Sequence, residues 1–153
     1  MPRVVTCVVE HAGKILVLRR SQSVRTYKGL WGGVAGYIET GEEPLQTAVK
    51  ELREEVGLVP QQVRLLWSGE TISFSDVDGG VQYDWVIYPF FFHANDIGSL
   101  RIDWEHTEYR WIDPKAIRSL DTVPHFAETV EKILEEWRMG KGGDAVRKRE
   151  EKD

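Results

Sequence analysis

The sequence predicts one mixed α/β (α+β) domain, on three observations. Two β-branched runs near the start flank a glycine-bearing polar turn, a helix with sharp start and stop signals follows, and further strand-like runs precede a second amphipathic stretch. At 153 residues the chain can bury one sizeable core, and two full domains are not expected.

Residues 4–9 (VVTCVV) and 15–18 (ILVL) are the first strands, and 10–14 (EHAGK) reads as their hairpin turn. Cys7 is the single cysteine, so no internal disulfide is available. Its apolar neighbours predict a buried strand thiol and fit a reducing compartment. Residues 19–29 (RRSQSVRTYKG) hold four positive charges without periodicity and predict a basic loop. Three glycines in 30–37 (LWGGVAGY) weaken a regular strand but admit bulges and close approach to a ligand.

The clearest helix opens at Thr40, with Glu43 three residues on at capping-box spacing and Pro44 tolerable in the first turn. Leu45, Ala48, Val49, Leu52 and Val56 form its apolar stripe, and Gly57 ends it. Residues 63–74 and 81–93 are strand-like around SDVDGG and predict a long hairpin. Pro89 cannot donate to a ladder and is expected at an edge or bulge. Residues 109–112 suggest a short strand, and Asp113-Pro114 opens a helical turn through Arg118. The last helix runs from about 124 to 139, with Phe126, Val130, Ile133, Leu134 and Trp137 on its apolar face. The domain is therefore read as residues 1–139, and 140–153 (GKGGDAVRKREEKD) as a charged, disordered tail.

Twenty basic against 25 acidic residues leave a formal charge of -5, which argues against nucleic acid as a partner, because phosphate affinity needs a cationic surface. Much of the acidic excess lies between residues 39 and 55, where six glutamates face only Lys50 and Arg53. The apolar run at 85–92 is far too short to span a membrane, and the first residues lack the length of a signal peptide. A membrane partner is excluded on this reading, and the chain is placed in the cytoplasm.

Glu51, Glu54 and Glu55 fall at i, i+3 and i+4, so one helix face presents three carboxylates within a turn. Like charges so placed repel unless a cation or basic groups neutralise them. An all-oxygen set suits hard ions, Mg²⁺ with Mn²⁺ as a substitute, and no His and Cys cluster suited to zinc is present in the sequence. An exposed charged face paired with Lys50 and Arg53 is the structural alternative.

The wider spacing resembles a known signature. Gly36, five residues, Glu42, seven residues and then KELREEVGL ending at Leu58 is similar to the Nudix hydrolase motif. The resemblance implies an α/β/α sandwich around a mixed sheet and an enzyme that cleaves the diphosphate linkage of a nucleoside diphosphate joined to another group. Nucleoside triphosphates, nucleotide sugars and ADP-ribose are examples of such substrates. It implies Glu51, Glu54 and Glu55 as ligands of the divalent ion, with the Gly36 carbonyl as a further ligand, and Glu54 or Glu51 to orient or deprotonate the attacking water. Glu42 would brace the loop against the basic residue of the motif. That residue is Lys50 where arginine is usual, so the charge is kept without the bidentate fork. Tyr37 also stands where many members carry a second glycine.

Members often add a glutamate from a later loop, which makes Glu105 the favoured catalytic and metal-binding candidate over Glu108. Arg19, Arg20, Arg25 and Lys28 are candidates for phosphate contacts, Phe74, Tyr83 and Trp31 for stacking on a base, and His106 for an acid or base beside Glu105. A small nucleotide substrate is thus the expected partner, and a homodimer is compatible with the sequence. The alternative is a weak or inactive domain that binds a nucleotide or a protein, for which Lys50 is the main support.

Overall fold

The computed structural model describes residues 2–140. Strands β1 (Arg3–His11) and β2 (Lys14–Arg20) form the N-terminal hairpin, closed by the pairs Glu10↔Ile15 and His11↔Lys14. Past the turn each takes other partners. β1 runs antiparallel to β4 (Val34–Tyr37) and parallel to β7 (Val81–Ala94), whereas β2 pairs with β3 (Trp31–Gly32) and with β8 (His106–Ile112). β5 (Val63–Ser68) and β6 (Ile72–Asp78) both lie antiparallel on β7. Among the described residues these make one mixed eight-stranded sheet.

The sheet is covered on both faces, which explains why its inner strands read as continuous apolar runs. Val5, Cys7 and Val9 of β1 pack with Phe90, Phe92 and the Ala48, Leu52, Val56 stripe of α1 (Pro44–Val56). Val8, one pleat away, joins Ile15, Val17, Phe91 and the Phe126, Val130, Ile133, Leu134 face of α2 (Phe126–Arg138). The result is an α/β/α sandwich. Cys7 is a buried free thiol.

Several local expectations change. Helix α1 is capped by Glu43 rather than Thr40: the Glu43 amide donates to Gln46 Oε1 at 2.8 Å, and Pro44 fixes the first helical φ. Leu45 stays 41% exposed, and the buried side of α1 is completed instead by Thr47 and Glu55. Gly57 does close the helix, at φ 71°. The long hairpin is built from two strands on β7, and its turn shrinks to Gly79-Gly80 because Asp78 already pairs with Val81. Pro89 is not at an edge. It lies between β1, where it opposes Thr6, and the break between β5 and β6, where its carbonyl accepts from the Gly69 amide at 2.9 Å. The missing N–H is tolerated because the neighbouring ladder is interrupted there. Beyond residue 140 the expected tail lies outside the described residues.

Candidate active site

Gly36 of β4 lies against Glu51 of α1. A Cβ there would collide with the Glu51 carboxyl group, so glycine lets the backbone meet that carboxylate without displacing it. One helical turn on, Glu55 is 2% exposed, and the Ala35 amide reaches its Oε1 at 3.5 Å. Its other oxygen, Oε2, is buried without a hydrogen-bond partner among the described residues. Burial, the contact with Glu51 and the charge of Glu105 push the Glu55 carboxyl well above the ordinary range. Burial also raises Glu51. Glu54 is exposed, and its charge acts on both Glu51 and Glu105, so it borders the cluster from the solvent side and the three carboxylates are not equivalent.

The second half of the site comes from residues about fifty positions later. Pairing of β8 with β2 sets His106 opposite Arg20 across a register shift, and the Ser21 amide holds the Glu105 carbonyl at 2.7 Å. Glu105, His106 and Glu55 offer ligand atoms all within 4.8 Å of one another. His106 is buried, with Nδ1 3.0 Å from Asp103 Oδ1 and Nε2 3.7 Å from Glu55 Oε1. Burial lowers its pKa against the pull of Asp103. Burial likewise raises Glu105, and Asp103 and Glu51 add to the rise.

The orphaned Glu55 oxygen, the close approach at Gly36 and the oxygen-rich donor set fit a divalent cation. Lys50 stands apart from the cluster. Its ammonium is 2.7 Å from Glu42 Oε2, and that carboxylate also accepts from Thr47 Oγ1 and the Glu39 amide. The lysine holds Glu42 below its ordinary pKa, and Glu42 raises that of Lys50.

Gly36 and Glu105 line a cleft of about 160 Å³. Its aromatic wall is Tyr27, Tyr37, Phe74, Trp85 and Phe126, and Arg20 and His125 are among its polar lining. A family model for the NUDIX domain matches residues 1–133. The chain belongs to the Nudix hydrolase family.

Relatives of this Nudix domain include an m7GpppN-mRNA hydrolase of Xenopus laevis, 40% identical over 55 residues, covering 36% of the chain and 18% of the relative. An isopentenyl-diphosphate Delta-isomerase of Escherichia coli is 29% identical over 115 residues, covering 73% of the chain and 62% of the relative. The chain therefore spans less than two thirds of either relative. The solved structure of the E. coli dihydroneopterin triphosphate pyrophosphohydrolase aligns with a TM-score of 0.71 at 23% identity, covering 84% of this chain and 92% of that one, and shares the fold. Among the described residues no helix is long and apolar enough to cross a membrane.

The cleft selects among the sequence candidates. Arg20 lines it, but Arg19 does not: adjacent strand residues face opposite ways, and Arg19 bonds the Gly29 carbonyl and Glu108 instead. Arg25 and Lys28 are exposed and lie outside the lining, since the loop turns Thr26 and Tyr27 inward. Phe74 lines the cleft, 4.0 Å from the His125 ring. Tyr83 is one step removed, stacked on Trp85 at 5.1 Å, and Trp31 is buried in the core beneath α2. Glu108 pairs with Arg19 and Arg110, away from the carboxylates.

Sequence reasoning passed over Trp85, Tyr27 and Asp103. Strand alternation places Trp85 on the face of Tyr83, which was a usable signal. Tyr27 had none. It adopts φ 52° and is tied by Asp76 (2.8 Å) and Trp85 Nε1 (2.9 Å), with burial first and Asp76 second pushing its pKa up to about 12.

Proposed function

We propose that the chain is a pyrophosphohydrolase dependent on a divalent cation, Mg²⁺ or Mn²⁺, that cleaves the diphosphate linkage of a nucleoside diphosphate joined to another group. The observation that carries the reading is the meeting of Glu51 with Gly36 and of Glu55 with Glu105, where Gly36 and Glu105 line a cleft with an aromatic wall. The names of both relatives above also carry a di- or triphosphate.

Glu51, Glu54, Glu55, Glu105 and the Gly36 carbonyl would hold the cation. Bound there, it neutralises phosphate oxygens and lowers the pKa of a coordinated water. The chain's own residues supply the rest. Arg20 offers a planar, permanently charged guanidinium to phosphate, already oriented by its 2.8 Å bond to the Thr26 carbonyl. Phe74 and Trp85 give a planar base surfaces on which to stack, and the apolar wall excludes water from one side. Glu51 or Glu54 takes the proton of the attacking water. Lys50 and Glu42 brace the segment between Gly36 and α1, which keeps Glu51 at the cleft.

The non-hydrolytic alternative drew on Lys50. With its ammonium 2.7 Å from Glu42, the lysine supplies the positive charge that an arginine would bring, so no observation favours that alternative. The test is a panel of nucleoside triphosphates, nucleotide sugars, ADP-ribose and dinucleoside polyphosphates, incubated with and without Mg²⁺ and Mn²⁺. Cation-dependent release of a nucleotide product is expected from at least one. Absence of turnover on the whole panel, or full activity in Glu54→Gln, would overturn the proposal.

A further inference from the structure

The Nudix motif supplies only oxygen donors, yet this chain buries an imidazole among them. We propose that His106 Nε2 is a nitrogen ligand of the divalent cation, in a mixed set with Glu55 and Glu105, and that the site consequently prefers Mn²⁺ over Mg²⁺.

The geometry comes from two separate elements. Glu55 sits in the last turn of α1, whereas Glu105 and His106 stand at the entry to β8. Their ligand atoms nevertheless fall within 4.8 Å of one another. Asp103 Oδ1 lies 3.0 Å from His106 Nδ1, so that nitrogen carries the proton and donates it. The lone pair is left on Nε2. A carboxylate behind the far nitrogen is the usual support of a metal-binding histidine, because it fixes both tautomer and ring orientation.

Nε2 then faces Glu55 Oε1 at 3.7 Å, too far for a hydrogen bond. Two ligands each about 2.1 Å from one ion stand roughly 3–4 Å apart, so the gap suits a shared cation. An independent sign is Glu55 Oε2, buried and without a partner among the described residues. A histidine serving only the core would have closed onto that carboxylate. Imidazole suits first-row transition ions, whereas Mg²⁺ demands oxygen and keeps its waters, and from this the preference follows.

The inference rests on the hydrolase reading only in placing the cation beside Glu55. The full chain is titrated with Mn²⁺ alone, without substrate, and examined by pulsed electron paramagnetic resonance. Modulation from a coordinated imidazole nitrogen is expected in the wild type. His106→Asn keeps a donor near Asp103 but removes Nε2. It should lose the modulation and bind Mn²⁺ at least about tenfold more weakly, while Mg²⁺ affinity changes less than about threefold. Asp103→Asn should keep the modulation and weaken Mn²⁺ about tenfold.

Stoichiometric Mn²⁺ without a nitrogen signal in the wild type overturns the proposal, as does unchanged Mn²⁺ affinity in a folded His106→Asn chain. If that variant fails to fold, the wild-type spectrum decides alone. Pyrophosphohydrolysis that persists alongside an absent nitrogen signal would refute the ligand and leave the hydrolase reading standing.

Discussion

Glu55→Gln should stabilise the protein in the absence of metal, although it removes a residue placed at the centre of the site. One carboxylate oxygen is buried without a partner, and burial raises the carboxyl well above its ordinary value near 4.5. An acid whose pKa is raised on folding binds its proton more tightly in the folded chain. Its contribution is therefore fully present below the unfolded value and is lost as pH climbs above it toward the folded value. Glutamine has nearly the same shape, stays neutral and can direct its amide at Glu51 or Glu105. An unpaired buried acceptor costs about 1–3 kcal/mol, and a chain of this size gains roughly 3 °C of midpoint per kcal/mol.

The variant should melt about 3–9 °C above wild type at pH 8 in chelator, and the difference should shrink as pH falls toward 4.5. Saturating Mn²⁺ or Mg²⁺ should reverse the order, because a ligand of the folded state alone raises its stability by about 2.7 kcal/mol at a hundred times Kd. Calorimetric melts across pH, with chelator and with metal, measure both effects. A Glu55→Gln chain that melts below wild type in chelator at pH 8, or a difference that ignores pH, would refute the reasoning.

Other expectations follow from the same geometry. Gly36→Ala drives a methyl into the Glu51 carboxyl group, so turnover should fall at least about a hundredfold while melts show an overpacking loss of about 1–3 kcal/mol. Lys50→Arg should keep or raise the rate, whereas Lys50→Met should lower it about tenfold; initial rates under saturating cation compare them. Arg20→Met should raise KM about 10- to 100-fold through loss of a charge-assisted phosphate contact, and Arg19→Ala should leave KM within about twofold, because Arg19 faces Glu108 outside the cleft.

The parts of the site legible in the sequence are those that lie close together along it. Glu51 and Glu55 share a face because a helix repeats every 3.6 residues, and Gly36, Glu42 and Lys50 stand at intervals set by a single loop and helix. Glu105 was found only through resemblance. No periodicity joins it to Glu55, and the β2/β8 register that unites them carries a shift between Arg19 and Arg20. The helix starts three residues later than the Thr40 signal implies, because Pro44 fixes the first helical φ and leaves Glu43 as the cap. Among the basic residues the loop's path made the choice, which composition does not encode.

By itself, then, the sequence determined the family, the order of elements, the α1 carboxylates and the two-sided apolar strands, all of them properties of local spacing. Tertiary structure alone decided that Glu55 is buried and Glu54 is not, that Arg20 rather than Arg19 faces the cleft, and that Asp103 and His106 stand behind the carboxylates. These depend on which strands pair and which helix covers them. A charge acquires its chemical meaning from the dielectric and the neighbours that long-range packing provides.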